Sequence, residues 1–446
     1  MDYGSALSYL SELTKFGINL GLERIEELLR RLGNPHRYLS IVHIGGTNGK
    51  GSTGAILANI MQKAGYRTGL FTSPHLHSYR ERFRIDGCEI REEQLAALLT
   101  ELRFHLDGMA AAGYEHPTEF EVSTALAFLY FRRERVDVLV LEVGLGGAID
   151  STNVINPLVT VITNVSLAHM AYLGNSIAEI TKVKCGIIKP GTPVVTAATG
   201  EALELIAVEC EKSQSPLIKC YDSSGVSAPD VKAGSRPHTV RDVTWQGLTV
   251  EPTGQRFTVS SDFHVYRELW LPLMGEHQLA NGTVALAAAE QLNRQGFDLS
   301  GDDIREGLSN TSWPGRMELV AKSAPVLLDG AHNHAGAISL RRSLALHFPH
   351  NKLILVLGVL ADKEQDKIVE ELTRQARMVI VTRPEHPRAD NWRDLAPMAQ
   401  RYVDQVYLSE KVSEALKIAF SAAGADDLIC VAGSLYLVAK ARELLV

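Results

Sequence analysis

The stretch Ile41-Val-His-Ile-Gly-Gly-Thr-Asn-Gly-Lys-Gly-Ser-Thr53 carries the residues best suited to chemistry: an apolar strand, a glycine-rich turn with one lysine, then a helical pattern. Glycines at such a turn let backbone N–H groups converge on phosphate oxygens. The helix start adds partial positive charge, and Lys50 supplies a mobile cation for the β- and γ-phosphates of a nucleotide. Gly46, Thr47, Asn48, Gly49, Lys50, Gly51 and Ser52 are therefore the predicted nucleotide-binding residues. The spacing departs from the general G-x-x-x-x-G-K-S/T form, since Ile44 stands where the first glycine belongs and Gly51 separates Lys50 from Ser52. A turn built for packing alone has no use for the lysine.

A loop of this kind needs a strand before it, a helix after it and a sheet around both. Short apolar runs at Leu39–Ile44, Thr68–Thr72, Val136–Val143, Val159–Val165 and Pro193–Ala197 read as strands. Apolar residues at helical spacing over Ser52–Ala64, Glu92–Ala112, Phe120–Arg133 and Ile177–Lys184 read as the helices between them. The alternation predicts a doubly wound α/β domain with a mostly parallel sheet. Residues 221–272 break this rhythm with short alternating runs and read as a β-rich appendage or sheet edge, followed by a helix over His277–Arg294. The polar stretch GFDLSGDD then marks a boundary, giving an ATP-binding domain over 1–299 and a smaller α/β domain over 300–446. Strands at Val326–Leu328, Leu353–Leu357, Met378–Val381, Gln405–Leu408 and Leu428–Val431 build the second domain. Ligands are expected between the two, at the carboxyl ends of strands.

Composition narrows the partners. The 446 residues carry 45 Lys plus Arg against 52 Asp plus Glu, a net charge of −7, with 45% apolar residues. That excludes a disordered or fibrous chain, and the absence of a basic run argues against nucleic acid. No stretch reaches the roughly 18 apolar residues needed to span a membrane. Five cysteines stand singly at 88, 185, 210, 220 and 430, as expected of reduced thiols in a cytoplasmic protein. Small molecules are the expected partners.

In its specific form, Gly46-Thr-Asn-Gly-Lys-Gly-Ser52 resembles the nucleotide loop of the folylpolyglutamate and dihydrofolate synthetases, within the Mur-type ligase superfamily. The resemblance continues in order along nearly the whole chain. It runs through Phe16-Gly-Ile-Asn-Leu-Gly-Leu-Glu-Arg-Ile25, Leu32-Gly-Asn-Pro35, Phe71-Thr-Ser-Pro-His-Leu76 with Arg80-Glu-Arg82, and Phe120-Glu-Val122. Glu142-Val-Gly-Leu-Gly-Gly147 with Asp150 and Gly186-Ile-Ile-Lys-Pro190 follow. His277-Gln278 with Asn281, Trp313-Pro-Gly-Arg316, Asp329-Gly-Ala-His-Asn333 and Gly433-Ser-Leu-Tyr436 complete it.

Read from the residues, the constellation is a phosphate loop with hydroxyl, carboxylate and imidazole groups able to hold magnesium, which prefers oxygen ligands. The resemblance implies more. It assigns Ser73 and Glu142 to a first Mg²⁺ and His169 to a second, and makes Lys184 the counterpart of a carbamylated lysine. It assigns Asn281 to adenine, Arg316 to the phosphates of ATP, Asp329 to the ribose, His332 and Ser434 to L-glutamate, and Phe120 and Asp150 to the pterin side. Lys50, Lys184, His169 and Arg316 are thereby the implied catalytic set. The implied reaction phosphorylates a folate or dihydropteroate carboxylate with ATP, after which the amine of L-glutamate attacks the acyl phosphate, in a monomer whose domains close over ATP. Several motif positions depart from the family pattern. Ala148 replaces its arginine, Ala168 the aspartate before His169, and Val183 the acidic residue before Lys184; Met170, Asn175 and His334 also differ. A paralogous ligase with another acceptor, or a nucleotide binder with little catalysis, are the alternative readings of these departures.

Overall fold

The apolar run after Ser40 forms β1 (Ile41–Gly45), buried at every residue, and the phosphate loop leaves from its carboxyl end. The computed structural model describes residues 1–17, 19, 21–224, 239–320 and 322–446. Parts of the N-terminal motif (Ile18, Leu20) and of the 221–272 region (225–238) lie outside the described residues. The chain divides into two compact units. One comprises Met1–Gln246, Thr258–Leu269 and Ala280–Thr311; the other comprises Gly247–Phe257, Trp270–Leu279 and Ser312–Val446.

The strands after β1 are β2 (Thr68–Phe71), β3 (Phe83–Ile85), β4 (Cys88–Glu89), β5 (Val138–Glu142), β6 (Val159–Ile162), β7 (Val194–Thr196), β8 (Leu217–Asp222), β9 (Val240–Glu251), β10 (Gly254–Ser260) and β11 (Val265–Leu271). Among the described residues they form one sheet in the order β11-β10-β9-β8-β7-β6-β1-β5-β2-β3-β4. β1 pairs in parallel with β5 on one side and β6 on the other, so the chain winds outward in both directions from it. This is the switch point of a doubly wound sheet, where a crevice opens at the carboxyl ends of the strands. β2, β5, β1, β6, β7 and β8 run parallel, and β3 and β4 close one edge antiparallel. Residues 240–271 contribute three strands at the other edge. Parallel strands covered on both faces bury continuous apolar runs, as Val138-Leu-Val-Leu141 does.

Helices Lys50–Lys63, Glu119–Arg133 and Ile177–Cys185 match the periodic segments to within three residues at each end. Helix starts follow capping chemistry. Thr118 and Glu121 form a capping box, and the Ser176 side chain accepts from Glu179 N. The predicted strand over Val159–Val165 ends instead at Ile162. Thr163 and Asn164 leave the ladder to bind the phosphate loop, which is the physical reason for the shortening.

The second unit contains β12 (Glu318–Val320), β13 (Val326–Leu328), β14 (Lys352–Leu357), β15 (Ala376–Thr382), β16 (Val406–Ser409) and β17 (Asp427–Ala432), in the order β12-β13-β17-β14-β15-β16. All pairs are parallel except β12 with β13. Its core holds Leu355, Leu357, Val379, Trp392 and Cys430. No described helix is long and apolar enough to cross a membrane.

Candidate active site

The loop after β1 is shaped by two glycines that no other residue can replace without strain. Gly46 has φ +137° and Gly49 φ +85°. A Cβ on Gly46 would stand 1.9 Å from Thr163 Oγ1, and one on Gly49 would stand 2.3 Å from Asn281 Oδ1. Gly49 is the N-cap of helix Lys50–Lys63, so the first amides of that helix face the space above the loop. Residues after β6 hold the loop from the side. Thr47 N donates to Asn164 O (2.9 Å), Asn48 N to Asn164 Oδ1 (3.1 Å), and Thr163 Oγ1 and Asn164 Nδ2 donate to Asn48 O at 2.7 and 2.9 Å. Thr163 and Asn164 were not among the predicted site residues. The available signal is their position, since they directly follow the strand that pairs with β1.

Two lysines and a carboxylate converge on this loop. Lys50 Nζ lies 3.9 Å from Glu142 Oε1 and donates to Gly46 O and Thr47 O. Glu142, at the carboxyl end of β5 and 6% exposed, accepts from Ser73 N at 3.2 Å. Lys184 is buried and donates to Gly46 O at 2.8 Å; burial, then the neighbouring charge of Lys50, pushes it down to about 7. The structure thus brings Gly46–Ser52, Ser73, Glu142, Lys184 and Asn281 to one place. His169 is exposed at φ +53°, as the N-cap of the short helix Met170–Leu173.

The turn after β5 adjoins this cluster. Gly144 lies under Phe120, whose Cζ would be 2.3 Å from an added Cβ. Asp150 is buried and holds the turn, accepting from Leu145 N (2.8 Å), Thr152 N (3.0 Å) and Thr152 Oγ1 (2.5 Å). Burial raises its pKa, and these hydrogen bonds oppose the rise. Ala148 N donates to Val183 O at 2.9 Å. Two of the departures from the family pattern therefore meet at one contact, beside Lys184.

In the second unit, Asp329 follows β13 and accepts from Met317 N (3.0 Å) and Ala331 N (2.8 Å). Burial raises its pKa, with Arg316 the leading opposing influence. Arg316 Nη1 would be 2.2 Å from a Cβ on Gly330, so the arginine packs across that glycine. His277 faces the same arginine, and burial together with that charge lowers it to about 4. His332 shares a hydrogen bond with Gly330 O at 2.8 Å. Ser434, 1% exposed, caps helix Leu435–Leu445 by accepting from Tyr436 N. Asn333 likewise caps helix His334–His347. Asp329, Arg316 and His332 thus gather about Gly330, while Ser434 follows β17, the strand paired with β13.

A phosphate loop with a carboxylate and two lysines is a site for nucleoside triphosphate chemistry, and relatives place it more narrowly. The chain matches the Mur ligase middle domain over residues 44–289 and the Mur ligase glutamate ligase domain over residues 315–435. It is 35% identical to the dihydrofolate synthase/folylpolyglutamate synthase of Bacillus subtilis, covering 99% of this chain and 98% of that protein. It is 31% identical to the Escherichia coli protein of the same name, over 99% and 95% of the two chains. Among solved structures, Mycobacterium tuberculosis folylpolyglutamate synthase complexed with ADP matches with a TM-score of 0.87 at 33% identity, covering 100% of this chain and 99% of that one. An Escherichia coli structure in complex with DHPP and ADP matches with a TM-score of 0.85 at 29% identity, over 100% and 97% of the two chains. By its sequence and both its folds, the chain belongs to the dihydrofolate synthase/folylpolyglutamate synthase family of Mur ligases.

Proposed function

We propose that this protein is an ATP-dependent, ADP-forming ligase that joins L-glutamate to a folate-type carboxylate, on tetrahydrofolate, dihydropteroate or both. The observation that carries the reading is the convergence of Lys50 and Lys184 on Gly46 with Glu142 3.9 Å from Lys50. A cation able to follow the γ-phosphate and a fixed carboxylate stand at the mouth of one phosphate loop, as phosphoryl transfer to a carboxylate requires. The acceptor carboxylate attacks the γ-phosphorus and ADP leaves. The amine of glutamate then attacks the acyl carbon, and phosphate departs as the amide forms. Positioning and charge neutralisation, rather than covalent help, are what the protein supplies.

In this reading Lys50 and Arg316 neutralise the phosphates, Asn281 and Asp329 hold the adenosine, and His332 and Ser434 receive glutamate. Phe120 lines the pterin side, and Asp150 shapes it by fixing the turn that Phe120 covers. The Ser73 hydroxyl and Glu142 carboxylate are hard oxygen donors of the kind Mg²⁺ accepts, and His169 extends the set. Bound there, Mg²⁺ would offset charge on the nucleotide phosphates. Lys184 suits carbamylation, because only a neutral amine adds carbon dioxide and burial favours the neutral form.

The test is ADP release by the purified protein with Mg·ATP and L-glutamate, comparing dihydropteroate, tetrahydrofolate and no acceptor, with mass spectrometry of the products. A product heavier by one glutamyl residue, formed only with a pterin, is the expected result. ATP binding without pterin-dependent turnover would overturn it and turn attention to the Ala148–Val183 contact.

A further inference from the structure

The first unit has a second cleft, on the edge of the parallel sheet opposite the phosphate loop. It encloses about 450 Å³ where the chain enters β6, β7 and β8, within the size range of small-molecule sites. Pro157, Pro190, Pro193 and Pro216 line it with rigid, flat apolar surface. Arg241, on β9, and Arg294, just beyond helix Glu276–Asn293, border it from two separate elements. Both guanidinium carbons lie 5.2 Å from the centroid of the half-exposed Phe263 ring. Neither arginine has an ion-pair partner among the described residues, in a chain of net charge −7.

Gln291 adds a carboxamide to the lining. It lines the cleft and is 6% exposed. The neighbouring Gln295 carboxamide is already bound, donating to Leu158 O at 2.9 Å. Two guanidinium forks suit a carboxylate or phosphate, and the proline walls suit a planar ring.

We propose that this cleft is a binding site for a small organic anion, a carboxylate or phosphate carried on a flat apolar body, held by Arg241, Arg294 and Gln291 and separate from the nucleotide loop. The helix Glu276–Asn293 carries Asn281 beside Gly49, and Gln291 stands ten positions further along it, about 15 Å away at the rise of an α-helix.

The experiment is calorimetric titration of phenyl phosphate, phthalate and inorganic phosphate into the full chain, into Lys50→Ala, and into Arg241→Gln/Arg294→Gln. Expected is saturable binding of an aromatic anion by the wild type and by Lys50→Ala, with the dissociation constant raised about tenfold or more in the double variant, the loss of a charge-assisted hydrogen bond. Tighter binding of phenyl phosphate identifies the phosphate form of the ligand, and tighter binding of phthalate the carboxylate form. Unchanged ATP turnover shows that the double variant is folded; if it is not, Arg294→Gln alone, at an exposed position, carries the comparison. The proposal fails if no aromatic anion binds the wild type, if inorganic phosphate binds as tightly as phenyl phosphate, if the arginine substitutions leave the constant unchanged, or if Lys50→Ala abolishes binding.

Discussion

Lys184 illustrates how position alone sets a side chain's chemistry. Its ammonium loses a proton near pH 7 in the folded chain and near 10.5 when unfolded. Between those values the unfolded state binds the extra proton, so this group's contribution to stability rises with pH through that window and is lowest below 7. In buffer free of carbon dioxide, the unfolding free energy of the wild type minus that of Lys184→Met should therefore climb from pH 7 to 10, measured by urea denaturation. A flat difference would show that Lys184 does not titrate in that range. Lys50 is held more loosely, by two carbonyls and a carboxylate 3.9 Å away. Lys50→Ala should leave the circular dichroism spectrum unchanged and cut ADP release about 10²- to 10³-fold, the scale of losing one preorganised charge-stabilising group. Lys50 was legible in the sequence because a lysine among glycines after a strand has few other uses, whereas Lys184 was marked only by the family resemblance. Thr163 and Asn164 were not, since their bonds to Asn48 span more than a hundred residues and local spacing carries no trace of them.

Elements were legible wherever their own residues decide them, as in the capped helix Glu119–Arg133 and the apolar strand β5. Their ends were less so where a partner elsewhere decides, as Thr163 shows in cutting short the strand before it. The start of helix Glu119–Arg133 combines both influences. Glu121 accepts from Thr118 N and Oγ1 at 2.7 and 2.8 Å, and also from Arg24 Nε at 3.2 Å, with Arg24 and Glu121 both buried. One carboxylate thus caps the helix that presents Phe120 and ties it to helix Glu23–Arg31. Glu121→Gln removes the negative charge and leaves the buried Arg24 guanidinium with the exposed Glu115 carboxylate, 3.5 Å away, as its remaining ion-pair partner among the described residues. A loss of about 3–5 kcal/mol is expected from breaking a buried pair on one side, read by chemical denaturation. Gly49→Ala tests a second element junction, the loop-to-helix turn. Its positive φ alone costs about 1–2 kcal/mol, and the added Cβ meets Asn281, so ATP affinity should fall along with stability.

For the molecule as a whole, the second unit is not a continuous stretch of chain, and no local pattern in the sequence reveals that. Met274 belongs to its core, packed with Met317, Leu327 and Leu340 although it lies far ahead of them in sequence. The same segment is fastened by Gly275 N donating to His347 Nε2 at 3.0 Å, and by Gln255 Nε2 donating to Leu273 O and Gly275 O at 2.8 and 2.7 Å. If this segment is structurally part of the second unit, Met274→Ala should open a cavity there and nowhere else. The cost expected for a buried methionine cut to alanine is about 2–5 kcal/mol. Hydrogen exchange should then quicken in β13, β14 and β17 while β1, β5 and β6 keep their protection. A fragment beginning at Ser312 lacks Met274, Gly275 and Gln255 together, so it should unfold at lower urea concentration than the same residues within the full chain. Equal protection of β14 in the variant and the wild type would mean that the core of the second unit closes without Met274, and that the strands from Glu318 onward fold by themselves.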